Sequence, residues 1–524
     1  MSSETYIHRS QQIDSTMKAP VPWVCLHLYV DTHDEDAVTK IASNQEIIQK
    51  LKKNKILRTY SRIVIIGYNP NELECCVDLT QLGNIIGENT QLKGLGFTDF
   101  KGNELNSLID NSFCSGMSTN KSIKYIGFDQ TLNGKFVSAL LPFFENNNKL
   151  EKVQFSSKVY KGDSSAGIEQ AVSRCNNSLK QLCLWNEFCS FNWRVVLLAL
   201  KNHPQLEVLQ LCGCGNRLRA MDIEALGGFL QIASRLKSLQ IKTKSLDNDG
   251  LRILISVLMD GTKLLPLRSL VLSDNEFDGG LGALAEVVKH IRSLKHLDLS
   301  QNNITKTEWQ HISTALACPE SNLKELCIRN CGIDNEIIRI LAASLTHNEK
   351  LKRLDMRYNN ITQEGWDAFI QLLCNTSSLE STFNSNHTLS YLGDGINHDA
   401  TLPQIKSLLE INRDCGRKEA AVRKILKSNP NLDLTPLLRW EAQLKQEFGE
   451  EHGHERGLIT LPYVISWLQR ADGYLYHYLN RENGFEGILK RRRLNKGMEE
   501  DFELRKLNAL YDSFRWNGKV YFPY

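Results

Sequence analysis

Twelve times between Ile63 and Leu379 the chain returns to one short pattern, Leu-x-x-Leu-x-Leu-x-x-Asn-x-Leu, and that return constrains its folding more than any other feature. The pattern is cleanest in Leu267, Leu270, Leu272, Asn275 and Phe277, in Leu294, Leu297, Leu299, Asn302 and Ile304, and in Leu351, Leu354, Met356, Asn359 and Ile361. Taken by their first apolar position, the units begin at Ile63, Leu92, Ile123, Leu150, Leu179, Leu206, Leu236, Leu267, Leu294, Leu323, Leu351 and Leu379, with spacings of 27 to 31 residues. A fixed period of this length means one supersecondary unit stacked on copies of itself, each unit burying its apolar face against its neighbours.

Each unit reads as a strand followed by a helix. In Leu294-Lys-His-Leu297-Asp-Leu299, apolar and polar residues alternate with the period of two that a half-buried strand needs. Asn302 closes the strand, where its amide can bond the backbone of its own turn and of the next unit. Cys331 and Cys214 occupy the same slot as small buried thiols. The spacing then changes to helical, with Trp309, Ile312 and Leu316 on one face, and Trp366, Phe369, Ile370 and Leu373 on another. The fold expected is an α/β leucine-rich repeat solenoid, a horseshoe with strands on the concave side and helices on the convex side.

A period of 27 to 31 residues with a full helix in each unit resembles the ribonuclease-inhibitor-type leucine-rich repeats. That subclass also contains the Ran GTPase-activating proteins and the repeat arms of NLR immune receptors. The resemblance covers roughly residues 60 to 390, and the whole chain is also similar to ribonuclease-inhibitor-like proteins of unicellular algae. It implies a protein that holds a partner. A regulator of a small GTPase is one alternative, but Ran GTPase-activating proteins tend to carry a strongly acidic C-terminal segment, and this chain ends basic. The recognition arm of a ubiquitin ligase is another, set back by the lack of an apolar helix with Leu-Pro signals near the start.

Four segments follow from the pattern. Residues 1–60 hold a polar tail and a capping strand and helix, with Trp23, Leu26 and Leu28 echoing the repeat. Residues 61–395 hold the repeats, residues 396–481 a helical C-terminal cap, and residues 482–524 a basic, aromatic-rich tail. Helices are expected at 402–412, 417–426, 434–448 and 461–479.

Composition narrows the function by exclusion. No apolar run approaches the ~20 residues of a membrane span, and the start lacks a basic region followed by an apolar core, so the chain is expected to be cytoplasmic and to have no membrane partner. The 14 cysteines include no Cys-x-x-Cys pair, and no P-loop, nucleophile elbow or His-Glu-x-x-His helix occurs, so no enzyme activity, cofactor or metal is expected. The cluster from Glu450 to Glu455, with His452 and His454, reads as a solvated loop. With 63 basic and 60 acidic side chains the body is near neutral, which offers no basic track for phosphates and leaves nucleic acid an unexpected partner. The local exception is Lys490, Arg491, Arg492 and Arg493, which resembles a nuclear-import run and admits the nucleus as a second location.

Function is therefore sought on the outward positions of the strands. The candidate protein-binding residues are Trp185, Lys242, His296, Asp298, Arg329, Arg353, Asp355 and Arg357, with Arg and Trp being the types that anchor interfaces. Their exposure implies that reversing Arg329 and Arg357 to Glu alters binding and leaves melting nearly unchanged. A protein partner and a monomeric chain are expected.

Overall fold

The computed structural model describes residues 24–27, 37–53, 62–66, 77–98, 111–130, 134–157, 165–186, 192–213, 218–260, 265–275, 277–393 and 403–429. The chain divides into two compact units, the larger formed by residues 1–373 and 388–409, and the smaller by 374–387 and 410–524.

In the larger unit one sheet contains twelve parallel strands in strict chain order. The first six are β1 (Val24–His27), β2 (Arg62–Ile66), β3 (Gly94–Thr98), β4 (Tyr125–Gln130), β5 (Lys152–Ser157) and β6 (Gln181–Asn186). The remaining six are β7 (Val208–Gly213), β8 (Ser238–Lys242), β9 (Ser269–Val271), β10 (His296–Asp298), β11 (Glu325–Cys327) and β12 (Arg353–Asp355). Most are followed by a helix, such as Asn248–Leu258, Lys306–Ala317 and Gln363–Leu373. This is the α/β repeat solenoid that the period implied.

The register places one leucine slot per strand in a single buried row. Leu182, Leu209, Leu239, Leu270, Leu297, Leu326 and Leu354 are register partners in turn, and each is fully buried. The next inward row runs from Leu26 and Ile65 into aromatics. Phe97, Phe128 and Phe155 stack with centroids 5.3 Å apart and planes within 7°. Trp309, Trp366 and Phe369 seal the helical side, as their spacing required.

Two rows of side-chain amides bind unit to unit. At the strand ends, Asn275 Nδ2 donates to Ile241 and Leu272 carbonyls at 2.8 and 2.9 Å, and Asn302 Nδ2 to Leu272 and Leu299 carbonyls at 3.0 and 2.8 Å. Asn359 repeats the motif on Ile328 and Met356. Cys331, in the same slot, donates its thiol to the Leu299 carbonyl at 3.3 Å. The residue before each slot is left-handed, at Lys244, Asp274, Gln301, Asn330 and Tyr358, with φ between 50° and 62°. At the other end, three residues before a strand-leading leucine or isoleucine, stands a second row. Asn89, Asn120, Asn147 and Asn348 each donate to a carbonyl of the preceding unit, and His203 does so to Val172 at 2.7 Å.

The two outermost assignments of the repeat change. Ile63 pairs with Leu95, so it fills the second apolar slot and not the first. Leu379 begins no strand: it opens the short helix Leu379–Phe383, capped by the Ser378 side chain on the Ser381 amide. The sheet is extended instead by Tyr391, which bridges to Arg353 and brings Leu389 and Leu392 into buried positions. At the other end, β1 pairs with β2 through Leu26 and Ile65, so the segment expected as a capping strand joins the sheet as a full member.

The first helices meet through glycine. A Cβ on Gly87 would lie 2.1 Å from the Gly116 carbonyl oxygen, and one on Gly83 would lie 2.4 Å from that of Phe113. Only bare Cα atoms allow helices Leu79–Glu88 and Asn111–Met117 to approach so closely.

In the smaller unit, helix Arg417–Ser428 buries a cation. Lys424 is fully buried, its Nζ donating to the Asn386 carbonyl at 3.0 Å and lying 3.2 Å from His387 Nδ1. Burial brings the Lys424 amine down to about 7, and burial together with Lys424 brings His387 down to about 4. Of the expected C-terminal helices, Pro403–Asp414 and Arg417–Ser428 are present; those at 434–448 and 461–479 lie outside the described residues.

Two outcomes follow. Replacing Leu326 with Ala should cost about 2–5 kcal/mol in denaturant unfolding, because the cavity opens inside the stacked row; a loss below 0.5 kcal/mol would place that side chain elsewhere. The smaller unit should be acid-sensitive. His387 has a folded value below its unfolded 6.5, so its contribution is complete above pH 6.5 and is lost as pH falls towards 4. Hydrogen-exchange protection of 417–428 should fall before that of β9–β12 between these pH values, and His387→Gln should remove the difference.

Candidate functional site

The strands set the site's geometry because alternate residues face away from the helices. Consecutive strands lie about 4.8 Å apart, and the outward residues form three columns across the sheet. The first runs through Gln181, Val208, Ser238, Ser269, His296, Glu325 and Arg353. The second runs through Cys183, Gln210, Gln240, Val271, Asp298, Cys327 and Asp355. The third contains Trp185, Cys212 and Lys242. All the candidates on strands therefore share one face, and Arg329 and Arg357 follow two residues after β11's Cys327 and β12's Asp355.

Charges at the β10–β12 end form a connected set. His296 Nδ1 lies 3.3 Å from Glu325, and Arg353 Nε lies 3.6 Å from the same carboxylate. The imidazole beside it holds the Glu325 carboxyl below its usual range. The Arg353 guanidinium also stands 3.7 Å above the Tyr391 ring. Further along, Arg357 grips Asp355 with two hydrogen bonds, Nε to Oδ1 at 2.9 Å and a terminal nitrogen to Oδ2 at 2.7 Å. Arg329 Nε approaches that Oδ2 to 3.7 Å. Gly393, at φ +111°, lies against this pair, and a Cβ there would meet Arg357 Cγ at 2.7 Å.

This grip changes the expectation for Arg357. Asp355 is 7% exposed, so reversing Arg357 to Glu leaves a buried carboxylate facing a second negative charge. Melting then falls, contrary to what strand exposure alone implied. Arg329 is looser, with 38% of its side chain exposed. Lys242, nearer the middle of the sheet, reaches Asp274 at 3.7 Å. Trp185 is half-buried on β6, four strands from β10.

A column at the strand starts escaped the whole-chain charge count. The residue after each leading leucine donates its backbone N–H to its counterpart one unit back: Lys295 to Arg268 at 2.8 Å, Lys324 to Lys295 at 2.8 Å, and Lys352 to Lys324 at 2.9 Å. In earlier units this column alternates sign, and Glu151 pairs with Lys124 and Lys180 while Glu207 pairs with Lys237. Arg268, Lys295, Lys324 and Lys352 have no such partner among the described residues. Burial, with the charges of Lys324, Lys350 and Arg268, lowers the affinity of Lys295 for its proton. The near-neutral body therefore carries a local basic row.

One donor set was invisible from local spacing. His296, Asp298 and Cys327 each place a possible ligand atom within 4.8 Å of the others. No short motif joins them, because the third member comes from the next unit, 29 residues beyond Asp298. Only the register Asp298↔Cys327 reveals the set. The basic run at 490–493 and the cluster at 450–455 lie outside the described residues. No described helix is long and apolar enough to cross a membrane.

Comparison with known proteins agrees with the repeat geometry. Residues 290–307 and 347–369 match the family described as Leucine Rich repeat. The chain is 31% identical over 173 residues to the Mus musculus NACHT, LRR and PYD domains-containing protein 14, which covers 33% of this chain and 17% of that protein. It is 25% identical over 266 residues to the Homo sapiens NACHT, LRR and PYD domains-containing protein 13, covering 50% and 25% of the two chains. With the Mus musculus ribonuclease inhibitor the identity is 30% over 215 residues, 40% of this chain and 45% of that one. The chain thus spans less than half the length of each of these relatives. Period, strand–helix alternation and relatives agree: the fold is an α/β leucine-rich repeat solenoid, and over the matched residues the chain is similar to the ribonuclease inhibitor.

Proposed function

We propose that the chain is a non-enzymatic scaffold that docks a protein partner on the outward face of its strand sheet, over β8–β12, with Trp185 at the margin. The observation that carries this reading is the connected charge set on β10–β12. Arginines cross-linked by Asp355 and Glu325, with Arg353 resting on Tyr391, already hold their binding geometry. A partner meeting them loses less rotamer freedom than it would on free side chains. Arg353 keeps 47% of its side chain open to solvent and Arg329 38%.

The basic row adds a chemical preference. Arg268, Lys295, Lys324 and Lys352 lie along the strand starts beside the mixed-charge face, so the partner presents acidic residues along one margin. Such a row acts chiefly on association rate and on rejection of wrong partners. Protein relatives that are themselves repeat proteins, such as the ribonuclease inhibitor, support a holding role over a catalytic one.

Quantitative affinity recovery from a nuclease-treated lysate tests the reading. Arg353→Glu should lower recovery of the principal partner at least tenfold, with unfolding free energy changed by less than about 0.5 kcal/mol. The double variant Lys324→Glu, Lys352→Glu should bind more slowly and with weaker salt dependence. Arg357→Glu should lose binding together with ~2–3 kcal/mol of stability, because it strands Asp355. Undiminished recovery with both Arg353→Glu and Arg329→Glu would remove this face from consideration, and a complex abolished by nuclease would replace the protein partner with a nucleic acid.

A further inference from the structure

We propose that His296, Asp298 and Cys327 form a binding site for a divalent cation of the zinc class on the outward face of β10 and β11. His296 and Asp298 stand two residues apart on one strand, so both face the same side. Cys327 is the register partner of Asp298 on the adjacent strand, and the three ligand atoms lie within 4.8 Å of one another. Tetrahedral zinc holds N, O and S ligands at about 2.0–2.3 Å, which sets ligand atoms roughly 3.3–3.8 Å apart. Closing to that spacing falls to the three side chains, since the strand backbones are held in register by the ladder.

The chemistry of the surroundings favours a cation there. The nearest arginines are engaged elsewhere: Arg329 and Arg357 with Asp355, Arg353 with Glu325. Among the described residues no ion pair reaches Asp298, whose Oδ1 accepts the Ser300 amide at 2.9 Å and leaves Oδ2 for another partner. His296 Nδ1 faces the Glu325 carboxylate at 3.3 Å, and a carboxylate on that nitrogen orients the imidazole to ligate through its other ring nitrogen. A cation bound there would release the Cys327 thiol proton to solvent, and the Asp298 and Asp355 carboxylates would stabilise the ion.

Mixed nitrogen and sulfur donors select a borderline or soft ion over magnesium or calcium. Three protein ligands on an outward face leave the fourth position to water or to a ligand atom from outside the chain, the open arrangement of a three-ligand zinc site. This proposal stands apart from the docking reading and holds or fails without it.

Cobalt(II) titration of the reduced full chain tests it, with absorption from thiolate-to-cobalt charge transfer as the readout. One equivalent should develop the band, and zinc(II) should displace it. Cys327→Ser should abolish the band and His296→Gln should weaken binding at least tenfold, while metal-free melting stays at the parent value. Glu325→Gln should weaken it by about tenfold through the imidazole. Zinc(II) should also protect Cys327 from alkylation, read by peptide mass. No band, a band undiminished in Cys327→Ser or His296→Gln, or unprotected alkylation of Cys327 would each overturn the site.

Discussion

Backbone hydrogen bonding from one unit to the next is the constraint on which everything else in the sheet rests. Every interior strand has its amides and carbonyls taken up on both sides, and the turns at either end would leave polar groups buried without the side-chain amides there. Asn275, Asn302 and Asn359 fill one end, while Asn89, Asn120, Asn147 and Asn348 fill the other. A buried amide left unbonded costs about 1–3 kcal/mol, so these rows specify register as well as stability. The left-handed residues from Lys244 to Tyr358 persist at five successive turns because each turn is held by its neighbours.

A fixed register turns a one-dimensional repeat into a two-dimensional array. Residues 27 to 31 apart become neighbours, and any property that recurs once per unit becomes a column. Three columns carry consequences. One gathers Glu325 and Arg353 beside His296, one gathers Asp298, Cys327 and Asp355, and the one at the strand starts gathers Arg268, Lys295, Lys324 and Lys352. The same fixed register holds the donor set of His296, Asp298 and Cys327 together.

Legibility in the sequence followed this geometry. The leucine slots, the Asn slots and the helical faces of Trp309 and Trp366 were readable because each repeats within a unit. Ile63 was misplaced because four successive apolar residues, Ile63 to Ile66, hide the period of two. Leu379 fitted the spacing after Leu351, but Thr382 and Asn384 stood in apolar slots, and Ser378 caps a helix there. The second Asn row was present as Asn-x-x-Leu or Asn-x-x-Ile before several units and went unread. What spacing could not supply was contact between units: the double engagement of Asp355, the uncompensated basic row, and the third ligand on β11.

The outward face of β8–β12 as the docking surface is tested most directly by site-specific photo-crosslinking in cells. A photoreactive residue replacing Ser269, the β9 neighbour of His296, samples the sheet face, and one replacing Met221, 49% exposed on helix Ala220–Leu230, samples the helical face. The account predicts a stoichiometric protein adduct at position 269 and none at 221. The same adduct at 221, with position 269 silent, would contradict it.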